Sequence, residues 1–305
     1  MEEGVTIHLW ILVRRAPAFV LSLALLSGCN SFKLGLLPAE KPDKPQKELA
    51  LATPGKRSLR VSQFVFYADF ELRKDLPIFR DLSGLADQVN KQLQLPGANT
   101  IVQVYLFEDK DRYERFMTSR YPDLPTRRAF FVAQPRTVGT LEDLIVYTYW
   151  GDRVQQDLRH ELTHALLHSV LKDVPLWLDE GLAEYFELPT DWKGVNYPHL
   201  DLLLRGPTAF QPDLGRLEQL NQVQHMTPAE YREAWAWVHF MLSNPEAKTV
   251  LLKYLQQLRT NSNPGAIGPR LAEVFPEPED ALKKYIARLD IENSPQRTQR
   301  AQRIQ

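Results

Sequence analysis

Residues 160–164 read His-Glu-Leu-Thr-His, and this short pattern constrains the fold and chemistry of the chain more than any other feature. The spacing of apolar residues predicts that the pattern lies inside a helix running from about 152 to 171. Histidines four residues apart project from the same helix face, close enough together to bind one zinc ion. Glu161 then lies beside the metal, where its carboxylate can take a proton from a zinc-bound water. We therefore predict a zinc site on His160 and His164, with Glu161 as the general base.

A catalytic zinc ion binds three protein ligands and keeps a fourth position open. His168 continues the series on the same helix face, but it lies about 12 Å along the axis from His160, too far to share the ion. The third ligand is therefore expected on a second helix that begins at Pro175 and folds back. Glu180 lies roughly 7 Å along that helix and returns nearly level with the histidines. Glu184, one turn later, is either a competing ligand or a carboxylate that orients a ligand histidine.

The surroundings of these two glutamates favour a buried role over a solvent-facing acidic pair. Their neighbours in the sequence include the large apolar residues Trp177, Leu178, Leu182, Tyr185 and Phe186. Carboxylates in apolar surroundings usually have partners, because the burial of an unpaired charge is costly. Glu187 lies one turn further on, and we expect it to take no part in the metal site.

The two segments together resemble a known family of enzymes. His-Glu-Leu-Thr-His at 160–164 and Pro-Leu-Trp-Leu-Asp-Glu-Gly-Leu-Ala-Glu-Tyr at 175–185 are similar to the gluzincin zinc metallopeptidases, specifically the bacterial peptidase MA-like domains. That family pairs the histidine motif with a downstream Trp-Leu-x-Glu-Gly segment whose glutamate is the third zinc ligand, and the matching residue here is Glu180. The resemblance is strong over 157–187 and weak over the rest of 60–289. It implies a zincin-like fold, one zinc ion per chain, and hydrolysis of peptide bonds in a peptide or protein substrate.

The resemblance also implies a donor that stabilises the oxyanion of the tetrahedral intermediate, usually a tyrosine or a histidine. The candidates are Tyr231, His239, Tyr197 and His199. Tyr231 is favoured on side-chain chemistry, whereas His239 is better interpreted as packing inside a helix. Residues 144–150 are similar to the edge strand on which gluzincins pair a peptide backbone, although an ordinary core strand fits the pattern equally well.

The order of the expected elements indicates an α+β fold, with a small mixed sheet followed by the active-site helix and further helices. Strands are expected at 60–66, 101–107, 129–133 and 144–150, and further helices at 76–95, 109–119, 227–242, 246–260 and 278–290. We expect a catalytic subdomain at 58–190 and a mainly helical C-terminal subdomain at 191–290. A polar tail at 291–305 is expected to be unstructured.

The amino terminus predicts export and a lipid anchor. Two arginines at 14–15 precede an apolar stretch at 16–26, which fits the hydrophobic region of a signal peptide. The Leu-Ser-Gly-Cys sequence that follows resembles the bacterial lipobox, and Cys29 is the single cysteine of the chain. We therefore expect a signal peptide at 1–29 and membrane attachment through acyl chains on Cys29.

The flanking residues refine this expectation. Residues 30–57 are rich in proline and lysine and poor in large apolar side chains, which predicts a semi-extended linker between the anchor and the folded part. Two glutamates at 2–3 are atypical of a positively charged leader, so we expect translation to begin near Val13. The alternative for Cys29 is a buried or free thiol that follows a leader by coincidence.

Composition excludes several functional classes. The chain has 305 residues and a formal net charge of −1, so its charge indicates no nucleic-acid partner. A single cysteine excludes an intramolecular disulfide and a cysteine-based zinc site. The prediction is thus a zinc metallopeptidase of the bacterial cell envelope. Its alternatives are an inactive zincin-like binding module, which the intact Glu161 argues against, and an amidase acting on cell-wall material, which no sequence feature excludes.

Overall fold

The structure, a computed structural model, describes residues 9–12, 52–122, 124–135 and 142–301. The predicted lipidation site Cys29, the predicted linker up to residue 51 and the predicted leader apart from 9–12 lie outside the described residues. Within the described part of the chain, no helix is both long and apolar enough to cross a membrane.

A mixed sheet forms the amino-terminal half of the fold. The strands are β1 (Leu9–Leu12), β2 (Arg57–Val61), β3 (Phe64–Ala68), β4 (Val102–Phe107), β5 (Ala129–Pro135) and β6 (Glu142–Tyr149). They lie in the order β1-β5-β6-β4-β3-β2, so that the five strands of 57–149 form the body of the sheet and β1 is added at one edge. β3, β4 and β6 are parallel to one another, whereas β5 is antiparallel to β6 and β2 is antiparallel to β3. β1 runs parallel to β5. The sheet and the helices that follow it confirm the α+β class.

The strand order corrects the prediction of an edge strand at 144–150. β6 is hydrogen-bonded to β4 on one side and to β5 on the other, and its residues are buried from Leu144 to Tyr149. It is therefore an ordinary core strand, the alternative that the apolar pattern had left open. Among the strands of 57–149, β5 is the outermost on this side.

The strand expected at 60–66 is divided by a tight turn. β2 and β3 pair as a hairpin in which Val61 lies opposite Phe64. Ser62, at the turn, has a φ of 54°, a left-handed conformation in which glycine or asparagine is more common. Serine is not a residue that strongly predicts such a turn, so the apolar pattern of 60–66 predicted one continuous strand.

Ten helices are described in the same parts of the chain. They are α1 (Pro77–Leu93), α2 (Lys110–Arg120), α3 (Val154–His168), α4 (Leu176–Phe186), α5 (Tyr197–Arg205), α6 (Leu214–Glu218), α7 (Pro228–Ser243), α8 (Pro245–Leu258), α9 (Gly268–Ala272) and α10 (Pro278–Ala301). α3 packs against β5 and β6, and α4 packs against both α3 and α7. The metal-binding pattern thus lies between the sheet and the carboxyl-terminal helices.

The expected subdomains share one core. Buried apolar residues from Val61 to Leu289 form a continuous cluster that crosses the expected boundary at 190–191. α10 also continues to Ala301, so residues 291–301 are helical where we expected an unstructured tail. A helix that is already nucleated by a packed turn, here around Leu289, extends at little cost into polar residues.

Candidate metal centre

Two adjacent helices bring three metal-binding side chains together. α3 carries His160 and His164 on one face, and their ring centroids are 4.9 Å apart. α4 folds back across α3 and carries Glu180, as the return of the second helix predicted. All three side chains are completely buried. This buried group could hold a metal ion, since one donor atom of each residue lies within 4.8 Å of the others.

The spacing of the donor atoms is compatible with metal ligands. Oε2 of Glu180 lies 3.4 Å from Nε2 of His160 and 3.6 Å from Nε2 of His164. Two atoms bound tetrahedrally to one zinc ion at about 2.1 Å are separated by about 3.4 Å. Both carboxylate oxygens of Glu180 and Nε2 of His164 are buried and lack hydrogen-bond partners among the described residues. Buried polar atoms in this condition fit an ion that all of them share.

Carboxylates hold the other nitrogen of each histidine. Nδ1 of His160 donates to Oε2 of Glu187 over 2.7 Å, and Oε1 of Glu187 accepts a hydrogen bond from Gln156. Nδ1 of His164 lies 3.0 Å from Oδ2 of Asp179. A carboxylate at Nδ1 keeps the proton there, which leaves the Nε2 lone pair available to a metal.

The acidic neighbours also tune the histidine on this face. Burial lowers the pKa of the His164 imidazole, but the carboxylates of Asp179 and Glu180 raise it well above its usual value. Burial likewise opposes ionisation of Asp179, and two histidines, His164 and His168, hold its pKa well below its usual range.

His168 completes this cluster without reaching the metal-binding atoms. Its Nε2 lies 3.1 Å from the same Oδ2 atom of Asp179 that contacts His164. Its ring packs on Phe131 of β5, with centroids 5.5 Å apart. His168 therefore contacts Asp179 and is not part of the metal-binding group, which agrees with its distance along the helix from His160.

Glu161 lies inside the centre on the side of the sheet. Its side chain is completely buried, and the backbone N–H of Phe131 in β5 donates to its carboxylate. Burial raises the pKa of Glu161, and the nearby positive charge of Arg127 only partly opposes that shift. A buried carboxyl beside the two histidines is in the position required of a general base.

Of the four candidate oxyanion donors, the structure brings Tyr231 to the centre. Tyr231 lies in the first turns of α7, is completely buried and forms a hydrogen bond with Arg127. Burial raises the pKa of its hydroxyl, and the nearby carboxylate of Glu180 raises it further. The phenol is therefore protonated and can donate a hydrogen bond at any physiological pH.

The other three candidates lie away from the metal-binding atoms. His199 contacts the carboxylate of Glu184 at 3.0 Å. Nδ1 of His239 forms a hydrogen bond with the hydroxyl of Tyr285, and its ring packs against Trp235, as expected of a packed helix residue. Tyr197 packs edge-to-face on Trp192.

The structure assigns different roles to the two glutamates that follow Glu180. Glu184 contacts His199 instead of a ligand histidine, and burial together with the nearby Glu187 raises its pKa. We expected Glu187 to take no part in the site, but its carboxylate accepts a hydrogen bond from Nδ1 of His160. Glu180 and Glu187 are seven residues apart, close to two helical turns, so the helical period would have placed both on one face. Asp179 directly precedes Glu180 and offered no comparable signal.

A cavity of about 870 Å³ opens beside Glu187. Its lining includes the polar residues Gln156, Glu184 and His199 and the apolar residues Leu188, Trp192 and Leu202. This volume is within the range of ligand-binding sites in proteins. Glu187 lines this cavity and also contacts Nδ1 of His160.

No protein-family model, curated protein or solved structure matches this chain.

Proposed function

We propose that this protein is a zinc-dependent metallopeptidase of the gluzincin type. The observation that carries this proposal is the set of donor distances, 3.4 and 3.6 Å from Oε2 of Glu180 to the two histidine Nε2 atoms. Two histidines and one carboxylate are a catalytic zinc set, which leaves an open position, whereas a structural zinc site has four protein ligands. A buried carboxylate, Glu161, beside that set supports hydrolysis over a purely structural role.

His160, His164 and Glu180 would hold the zinc ion, which when bound polarises the substrate carbonyl and lowers the pKa of water. Glu161 accepts a proton from the attacking water and then returns it to the leaving amine. Tyr231 donates a hydrogen bond to the carbonyl oxygen as it becomes negative.

The peptide substrate would bind between β5 and the cavity beside Glu187. β5 is the strand nearest the centre, because its Phe131 contacts both Glu161 and the ring of His164. In the structure its outer edge is paired with β1, with Leu9 opposite Phe130. Cleavage before Cys29 would remove β1 from the mature chain and leave this edge free to pair with a peptide backbone.

Export and lipid anchoring through Cys29 remain part of the proposal on sequence grounds. Mass spectrometry of the protein purified from membranes should find an acylated Cys29 at its amino terminus. Recovery of peptides that span Glu2 to Leu12 from cells would contradict the start near Val13, and an unmodified Cys29 in the membrane fraction would contradict the anchor.

Metal content is the first test of the proposed activity. Elemental analysis of the purified protein should find one zinc ion per chain, retained in an exposed control variant, Glu273→Ala, and lost in Glu180→Ala. The zinc-loaded protein should cleave members of a peptide panel, and Glu161→Gln should keep the metal but lose the activity. Zinc binding that is indifferent to Glu180 would refute the ligand set. Zinc retention without hydrolysis of any peptide would favour a binding module, and cleavage confined to muropeptides would favour an amidase.

A further inference from the structure

Arg127 lies next to the metal centre, although nothing in its sequence neighbourhood singles it out. It comes two residues before β5, the strand whose Phe131 contacts Glu161 and His164. The side chain is half-buried, and its positive charge acts on Glu161. Its backbone therefore lies just outside the strand that borders the centre.

The guanidinium makes one specific contact within the centre and keeps a free donor. It forms a hydrogen bond with the side chain of Tyr231, whose hydroxyl is also close enough to Glu180 to feel its charge. Nη1 of Arg127 is buried and has no hydrogen-bond partner among the described residues. Arg127 also borders a small cavity of about 20 Å³, with room for one water molecule but not for a side chain. An unpaired cationic donor inside a protein is costly, and such groups are expected where negative charge develops during a reaction.

We propose that Arg127 completes the oxyanion side of the centre by holding the Tyr231 hydroxyl toward the metal-binding group and placing a positive charge behind it. This inference rests on the proposed peptidase function. It assigns Arg127 as a positioning residue that acts through Tyr231. It also explains why a half-buried guanidinium lies beside a centre that already contains His160, His164 and Glu180.

The role follows from the charge balance of peptide hydrolysis. When the water oxygen bonds to the carbonyl carbon, Glu161 takes the proton and the π electrons of the carbonyl move onto its oxygen. That oxygen becomes an anion, and the hydrogen bond from Tyr231 strengthens at that moment. A positive charge on the far side of the phenol makes the phenol a better donor without protonating or deprotonating it. When the carbon–nitrogen bond breaks, the electrons return to the carbonyl and the amine takes the proton from Glu161.

The test compares Arg127→Gln, Arg127→Lys and an exposed control on α2, Arg115→Gln, in zinc-loaded protein. Zinc content and the unfolding midpoint show first that each variant is folded and loaded. Calorimetry then measures the affinity for two C-terminally amidated probes, phosphoryl-Leu-Phe and mercaptoacetyl-Leu-Phe. The phosphoryl group carries tetrahedral anionic oxygens like those of the intermediate, whereas the thiol binds the metal without them. Amidation removes the terminal carboxylate, which is the other anion that an arginine would bind.

We expect Arg127→Gln to weaken binding of the phosphoryl probe about 100-fold and to change the affinity for the thiol probe by less than about 3-fold. The same variant should lower kcat by a similar factor with little change in KM, and Arg127→Lys should restore most of the loss. Because Arg127 acts through Tyr231, adding Arg127→Gln to Tyr231→Phe should cost much less than it does in the wild-type background.

Two outcomes overturn the inference while leaving the peptidase intact. If binding of both probes is weakened equally, Arg127 has a structural role. If the affinity for the phosphoryl probe is unchanged, Arg127 pairs only with water. If the wild-type protein neither retains zinc nor binds either probe, the proposed function itself fails and the inference fails with it.

Discussion

The close approach of α4 and α7 leaves no room for a side chain at one glycine of α4. Gly181 follows Glu180 directly and faces the backbone of α7. A Cβ added there would lie 2.6 Å from the carbonyl oxygen of Ala234 and 2.9 Å from a methyl group of Val238. The carbonyl belongs to the helix backbone and cannot rotate away. This contact gives a physical reason for the glycine in the Trp-Leu-x-Glu-Gly segment.

The magnitude of a Gly181→Ala substitution follows from these distances. Ordinary contacts begin near 3.4 Å, so the two helices must separate by about 0.8 Å to admit the methyl group. Overpacking of this kind costs about 1–3 kcal/mol. Alanine recovers about 1 kcal/mol because it is the better helix former. The free energy of unfolding of the metal-free protein should therefore fall by up to about 2 kcal/mol.

The same displacement should weaken zinc binding. Metal–ligand distances tolerate a deviation of only about 0.2 Å, and the shift of α4 moves Glu180 by more than that. We expect a loss of zinc affinity of about 10-fold or more, comparable with the loss of an orienting partner.

Urea unfolding of metal-free protein and chelator competition for zinc measure the two effects separately. The matched control is Gly84→Ala, at an exposed position of α1 where an added Cβ meets nothing within 4 Å. Its unfolding free energy should rise by about 0.5–1 kcal/mol. If Gly181→Ala proves as stable as the control and binds zinc with wild-type affinity, the close contact between α4 and α7 is refuted.

Three further predictions test the surroundings of the centre. Glu187→Gln should lower zinc affinity about 10–100-fold because His160 loses its anionic partner, whereas the exposed Glu273→Gln should not; equal affinities by chelator competition would refute this. Removal of zinc with a chelator should lower the thermal unfolding midpoint. If the free zinc concentration was a thousand times its Kd, the loss in free energy of unfolding should be about 4 kcal/mol. Burial lowers the pKa of His239 to about 4, so the folded state binds its proton less readily than the unfolded state. Stability should therefore fall by up to about 3 kcal/mol as the pH drops from about 6.5 to about 4, and His239→Gln should flatten that slope in urea titrations. An unchanged slope in the variant would assign the pH dependence to other groups.

Local geometry explains why part of the centre could be predicted from the sequence. The spacing of His160 and His164 is a property of any helix, and a helix that folds back after a short turn returns Glu180 to the same level. The structure brings these three residues together as expected. The return of the helix did not distinguish the carboxylates beyond Glu180, because their roles depend on which face of α4 meets α3.

Long-range contacts explain what the sequence could not predict. Arg127 reaches Tyr231 across more than one hundred residues, and neither position has a pattern that pairs it with the other. The edge strand was assigned to 144–150 because that stretch directly precedes the metal helix, but the order of strands in a sheet is a non-local property. Among the strands of 57–149, β5 lies outside β6 and pairs with it antiparallel.

The position of α4 also links the proposed metal ligands to the proposed oxyanion donor. Asp179 and Glu180 face the histidines of α3, while Gly181 lets the backbone of α7 approach on the other side. Tyr231 lies one turn before Ala234, the residue that Gly181 contacts, so the same close approach brings its hydroxyl toward Glu180. A change that separates α4 from α7 should therefore affect two steps together, metal binding through Glu180 and oxyanion stabilisation through Tyr231. For this reason Gly181→Ala reloaded with excess zinc should recover its metal but not its full kcat, whereas Glu187→Gln under the same conditions should recover most of both.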